Sequence, residues 1–177
     1  MHRRQLIALA AIGIGRPAAG ADLLAGTPAF VHDTRVEQIA EAYAKGAVDD
    51  ARDKRAIALD GSEKSVQWVE RLLAKMHDVY AGAQAKPSEE VVMSYAKAYG
   101  SYIGEVYRTH HGGQWGIVTI DGQSFPGMQA GGTGQTFWPW VRVRKRIVDG
   151  PDNNVADYYA VLVKTGEAAS APAAAGP

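Results

Sequence analysis

The stretch that decides the fold is Ser101–Trp115, SYIGEVYRTHHGGQW, in which a long helical pattern stops at a double glycine and a strand pattern starts. Upstream, Pro87-Ser88-Glu89-Glu90 supplies a capping hydroxyl and two carboxylates against the positive end of a helix dipole. Val92, Tyr95, Ala96, Tyr99, Tyr102, Ile103, Val106 and Tyr107 then recur as one broad apolar face, which predicts a long helix. Gly100 and Gly104 lie inside it, each costing about 1 kcal/mol relative to alanine, so a neighbouring element is expected to approach their backbone closely. Gly112-Gly113 closes the helix, with Arg108, His110 and His111 near its negative end.

Downstream, Gln114–Ile120 alternates as a strand, with Trp115, Ile117 and Thr119 on one side and Gly116, Val118 and Ile120 on the other. Asp121-Gly122 is a hairpin turn. A second strand is expected over Gln123–Met128, at an edge or bulge because of Pro126, and a third over Gln135–Trp138. Pro139 then opens a helix that buries Trp140, Val143 and Ile147 and stops at Gly150-Pro151. A last helix, from about Asn154 to Lys164, buries Val155, Tyr158, Tyr159 and Leu162.

Towards the N-terminus, Asp33 or Thr34 caps a helix carrying Val36, Ile39, Ala40, Tyr43, Ala47 and Ala51. Ala56–Leu59 reads as a short edge strand, and Ser62 caps a helix with Val66, Val69, Leu72, Leu73, Met76 and Tyr80 as its stripe and Trp68 at the core rim. The lone His77 beside them is read as structural. The fold class is α+β: N-terminal helices packed on a three-stranded antiparallel meander, followed by two C-terminal helices, as one domain over residues 33–166. Its length and apolar share, 177 residues at 46% hydrophobic, suit a single core.

The two ends read differently. Arg3 and Arg4, the apolar run Leu6–Ile14 and Ala19-Gly20-Ala21 form the three parts of a signal peptide cut after Ala21, with a partial resemblance to the twin-arginine type. The expected location is therefore the periplasm or outside the cell, with no membrane span after cleavage; the N-terminal apolar run is itself too short for a span, because Arg16-Pro17 interrupts it. Residues 22–32 read as a tether, and residues 167–177 as a disordered Ala/Pro tail.

Charge and motifs narrow the function. Removing Arg3, Arg4 and Arg16 leaves 16 basic residues against 19 acidic, which is no nucleic-acid footprint. Cysteine is absent, excluding disulfides, thiolate metal sites and a cysteine nucleophile. The GGTG stretch at 131–134 lacks the Lys-Ser/Thr ending of a phosphate loop, so no cofactor is expected. Glu105, His110 and His111 are the candidates for hydrolysis or metal binding, with Asp121 as a further ligand, but their order does not match His-Glu-x-x-His, and Ser101 and Ser124 lack a nucleophile elbow. Glu105 is therefore expected to act structurally, paired with Arg142, Arg144 or Arg146, and Trp115 to anchor the first strand. Trp138, Trp140, Arg142, Arg144, Lys145 and Arg146 combine aromatic and cationic side chains of the type that dominates protein interfaces, and point to a protein partner.

The succession YIGE (102–105), GGQW (112–115), FWPW (137–140), KRIVDGPDN (145–153) and DYY (157–159), with SEKSVQWVE (62–70) ahead of it, resembles a bacterial family of domains of unknown function. The resemblance spans roughly residues 59–163 and implies a small α+β domain without naming an activity. By analogy of size and compartment, such exported domains are similar to immunity proteins that neutralise secreted toxins. The resulting expectation is an exported binding or inhibitory module.

Overall fold

Gly104 marks the point where the longest helix meets the sheet. A Cβ added there would overlap the Trp115 indole and lie 2.8 Å from the Met128 sulfur, while one added at Gly100 would lie 2.9 Å from the backbone of Pro139 and Trp140. The two glycines thus let two different neighbours, the sheet and a later helix, rest on one helix. The computed structural model describes residues 28–170, so the expected signal peptide, most of the expected tether and the end of the expected tail lie outside the described residues.

Within that span there are five α-helices and one four-stranded antiparallel sheet. In chain order the elements are β1 (Ala29–His32), α1 (Thr34–Arg55), α2 (Val66–Gly82), α3 (Glu89–His111), β2 (Gly113–Ile120), β3 (Gln123–Ala130), β4 (Thr136–Phe137), α4 (Pro139–Val148) and α5 (Val155–Ser170). The mixed helix-and-strand class agrees with the sequence. The three-stranded meander is corrected to four strands, because the C-terminal part of the expected tether is β1. It pairs with β2 in the register Val31↔Ile117. The Phe30 ring lies over Gly116, where a Cβ would be 2.8 Å from it. Four residues are too few to show a period of two, and the partner strand lies far along the chain, so no local signal marked this strand.

Local chemistry explains most of the boundaries. Asp33 caps α1, its carboxylate accepting from the N–H groups of Arg35 at 2.8 Å and Val36 at 3.3 Å. Ser88 caps α3 through the N–H of Val91, and Asn154 caps α5 through Ala156 and Asp157. Ala56 takes a left-handed conformation at the end of α1 (φ 53°), and the segment behind it is coil, not the expected edge strand. Helix α5 continues beyond the expected end at Lys164 to Ser170. Pro126 fits in β3 because β4 bonds only to Met128 and Gln129, leaving the outer side of β3 unpaired at the proline.

Helix α1 lays a row of small buried residues, Ala40, Ala44, Ala47 and Ala51, against α3, while Ile39, expected on the apolar face, and Trp68, expected at the core rim, are each about half exposed. The core joins Trp115, Met128 and Phe137 of the sheet to Tyr99, Tyr107 and Leu72 of the helices. Helix α4 packs on both α2 and α3, whereas α2 and α3, consecutive in the chain, barely touch. Helix α4 is therefore inserted between α2 and α3.

Candidate functional site

Glu105 follows Gly104 on α3 and so faces the end of the sheet. One carboxylate oxygen accepts from the buried Trp115 indole N–H at 2.7 Å, and the other accepts from Arg108 at 2.6 and 3.1 Å. Arg108 also reaches Glu37 at 3.1 Å and Glu41 at 2.7 Å on α1, and Glu37 meets His32 of β1 at 3.1 Å. The expected partner is corrected: Arg108, three residues along the same helix, replaces Arg142, Arg144 and Arg146. Helix α4 rests on the Gly100 side of α3, away from Glu105. This network ties α1, α3, β1 and β2 together at one joint.

The adjacent histidines do not converge on Glu105. His110 Nε2 bonds the Gly61 carbonyl at 3.0 Å, and His111 Nε2 lies 2.6 Å from a Glu63 oxygen that also accepts from the Tyr159 hydroxyl at 2.9 Å. The His111 hydrogen bond holds the Glu63 carboxyl below the usual carboxylate range, against the opposing effect of partial burial, and the Tyr159 bond adds to the lowering. Both histidines latch the end of α3 to the loop before α2. A shallow cleft of about 460 Å³ runs beside them, lined by Asp60, Tyr102, Glu105, Thr109 and His110 among others. The Tyr102 hydroxyl there is held by Ser65 at 2.6 Å and by the Gly61 N–H at 2.9 Å.

Neither candidate serine has a base beside it in these bonds: Ser101 is buried and accepts from the Trp140 indole at 2.8 Å, and Ser124 pairs with Thr119 at 2.8 Å. Among the described residues, no three His, Asp or Glu side chains group as a metal site.

The cations of α4 disperse. Arg142 stacks 4.2 Å above the Tyr158 ring, and Arg144 forks onto Glu89 at 2.6 and 3.1 Å. Arg146 is only 4% exposed. It donates to Glu70 at 2.8 Å, while the other Glu70 oxygen accepts from the N–H of Val155 at 2.8 Å, and Arg146 Nη1 has no hydrogen-bond partner among the described residues. Lys145 is half-buried. Trp140 turns inward, its ring 5.9 Å from Trp115 and 6.1 Å from Tyr43. Of the six residues expected to form one surface, Arg146 is thus buried and Trp140 is partly buried against the core.

Trp138 has a different setting. The sheet's main core lies on the face of Trp115 and Met128; Val118, fully buried, lies on the second face and outside that core. On this second face Gly116 and Gly127 are cross-strand partners. Phe30 covers the first, and Trp138 lies against the second, where a Cβ would be 3.1 Å from its ring and 3.0 Å from Val118. Phe125, paired with Val118, stands 42% exposed. Tyr158 meets the Trp138 backbone, which brings the Arg142 stack to the margin of this layer. The sequence missed Phe30 and Phe125; the signal available was that Val118 and Ile120 make the second side of β2 as apolar as the first. No family model matches the chain, and neither the curated proteins nor the solved structures contain a match.

Proposed function

We propose that the protein is an exported binding or inhibitory module that holds a protein partner on the second face of its sheet, in the manner of an immunity protein. Export rests on the three-part N-terminus. The observation that carries the binding reading is the aromatic layer of Phe30, Phe125 and Trp138, partly in solvent, with Arg142 stacked on Tyr158 at its margin. Aromatic and arginine side chains supply most hot spots in protein interfaces, because they bury large area with few rotatable bonds. The rigid sheet beneath them keeps the layer preformed, which limits the entropy lost on binding.

The test is to place a photo-crosslinking residue at position 125 in the exported protein, identify the adduct, and measure affinity with the purified pair. Phe125→Asp is expected to weaken that affinity by about tenfold or more while leaving the unfolding midpoint nearly unchanged. An equal yield of the same adduct from position 161, where Val161 is also exposed, or an affinity indifferent to Phe125→Asp, overturns the reading.

A further inference from the structure

A second surface lies where α4 ends. Helix α4 fills the inner part of the notch between α2 and α3, stops at Val148 and leads into Gly150-Pro151. Ahead of it the notch continues as a groove of about 280 Å³, with Ile147 in its lining. Met76 and Val79 line it from α2, Val91 and Tyr95 from α3, and Pro87 belongs to the link between them. Val79 is 70% exposed and Val91 46%, although both belong to this apolar lining. The charged side chains of the lining are Arg55 and Lys75, both cationic. Arg55 keeps one edge on Asp50 at 3.2 Å, and Lys75 has no carboxylate within ion-pairing distance among the described residues. Among the described residues no carboxylate lines the groove.

We infer that this groove takes an acidic amphipathic helix of a partner protein. Helix α4 already occupies the inner part of the same notch, so the groove continues a seat that a helix fills. The volume beyond α4 has room for side chains rather than a whole helix, so a guest lays one apolar stripe between Val79 and Val91. Residues at i, i+3 and i+4 form such a stripe. Lys75 and Arg55 select carboxylates on the flanks of the guest, and a basic helix would be repelled by the same two groups. This surface is separate from the sheet face, and either assignment can fail alone.

The test is selection from a displayed library of random peptides about 16 residues long, four helical turns and more, on the chain beginning at Asp22. Enriched peptides are expected to carry helically spaced apolar residues flanked by Asp or Glu. By fluorescence anisotropy their affinity is expected to fall about tenfold with Val79→Glu and several-fold with Lys75→Glu, and to be unchanged by Phe125→Asp. Both groove positions are exposed, so the variants should fold; Val91→Glu serves as a second apolar variant. Enrichment of basic or uncharged sequences, no enrichment, or affinities indifferent to the groove variants overturns the assignment. A dimer of the chain itself that Val79→Glu dissociates also overturns it, by showing that a second copy is the occupant.

Discussion

Glu105 and Glu70 both join distant elements through their carboxylates, yet one shares its load and the other does not. Glu105 holds the Trp115 indole and Arg108, and Arg108 has Glu37 and Glu41 as further partners. Glu70 holds Arg146 and the first N–H of α5, and among the described residues Arg146 Nη1 has no acceptor. Exposure follows the same split, since the Arg108 side chain is 28% exposed and that of Arg146 5%. Where several groups share a charge and water reaches it, losing one costs little; where a single buried contact carries it, losing that contact strands the other charge.

The most severe way to break the comparison is Glu70→Leu. It leaves Arg146 buried and unpaired and frees the Val155 N–H, for an expected loss of about 3–5 kcal/mol in urea unfolding. Adding Arg146→Met should restore a large part of it, because a buried pair replaced as a unit by apolar groups is often close to neutral. If the double variant is no more stable than the single one, the stranded charge is not the cause. Gly104→Ala comes next. It drives a methyl into Trp115 and Met128, an overpacking cost of about 1–3 kcal/mol, offset in part by about 1 kcal/mol of helix propensity. Near-ultraviolet circular dichroism of Trp115 should report the displacement.

Glu105→Gln is expected to cost less, about 1 kcal/mol by the same unfolding measurement, because an amide oxygen still accepts from Trp115 and Arg108 retains two carboxylates. A loss as large as that of Glu70→Leu would remove the contrast between shared and unshared charge. The smallest effect belongs to Glu63→Gln, read as a function of pH. Because the folded Glu63 carboxyl titrates below its ordinary value of 4.5, its contribution is fully present above pH 4.5 and is lost as pH falls through the lowered folded value. The stability gap between parent and Glu63→Gln should therefore close on acidification. A gap that widens below pH 4.5 would contradict the His111–Glu63 latch.

What the sequence made legible was local. Asp33, Ser88, Pro139 and Gly112 act within a turn of their own position, so these starts and stops of helices could be read directly, whereas Ser62 caps a 3-10 turn that leads into α2 and not α2 itself. The closeness demanded by Gly100 and Gly104 was legible too, though not which element would fill each gap. What escaped was decided across the fold. Arg108 took the place expected for an α4 arginine because contact between helices is set by the glycines and not by charge count. Glu70 and Arg146 meet through the packing of α2 on α4, with no trace in either local pattern. The candidate surface split because helical periodicity places Trp140 and Arg146 on the inner side of α4, while Trp138 stands ahead of its first turn.

Strand β1 has a consequence for the order of assembly. Its partner is reached only after three helices have been traversed, whereas β2 and β3 are joined by the tight turn at Asp121-Gly122. Loop closure favours the near pairing first, so the β2–β3 hairpin is expected to stand ready before β1 arrives. The N-terminal strand then acts as a late closing seam, laying Phe30 over Gly116 and bringing His32 to Glu37. A chain begun at Asp33 should keep its helices and hairpin while leaving the outer edge of β2 unprotected in amide exchange, which makes the first strand a latecomer that seals a finished body.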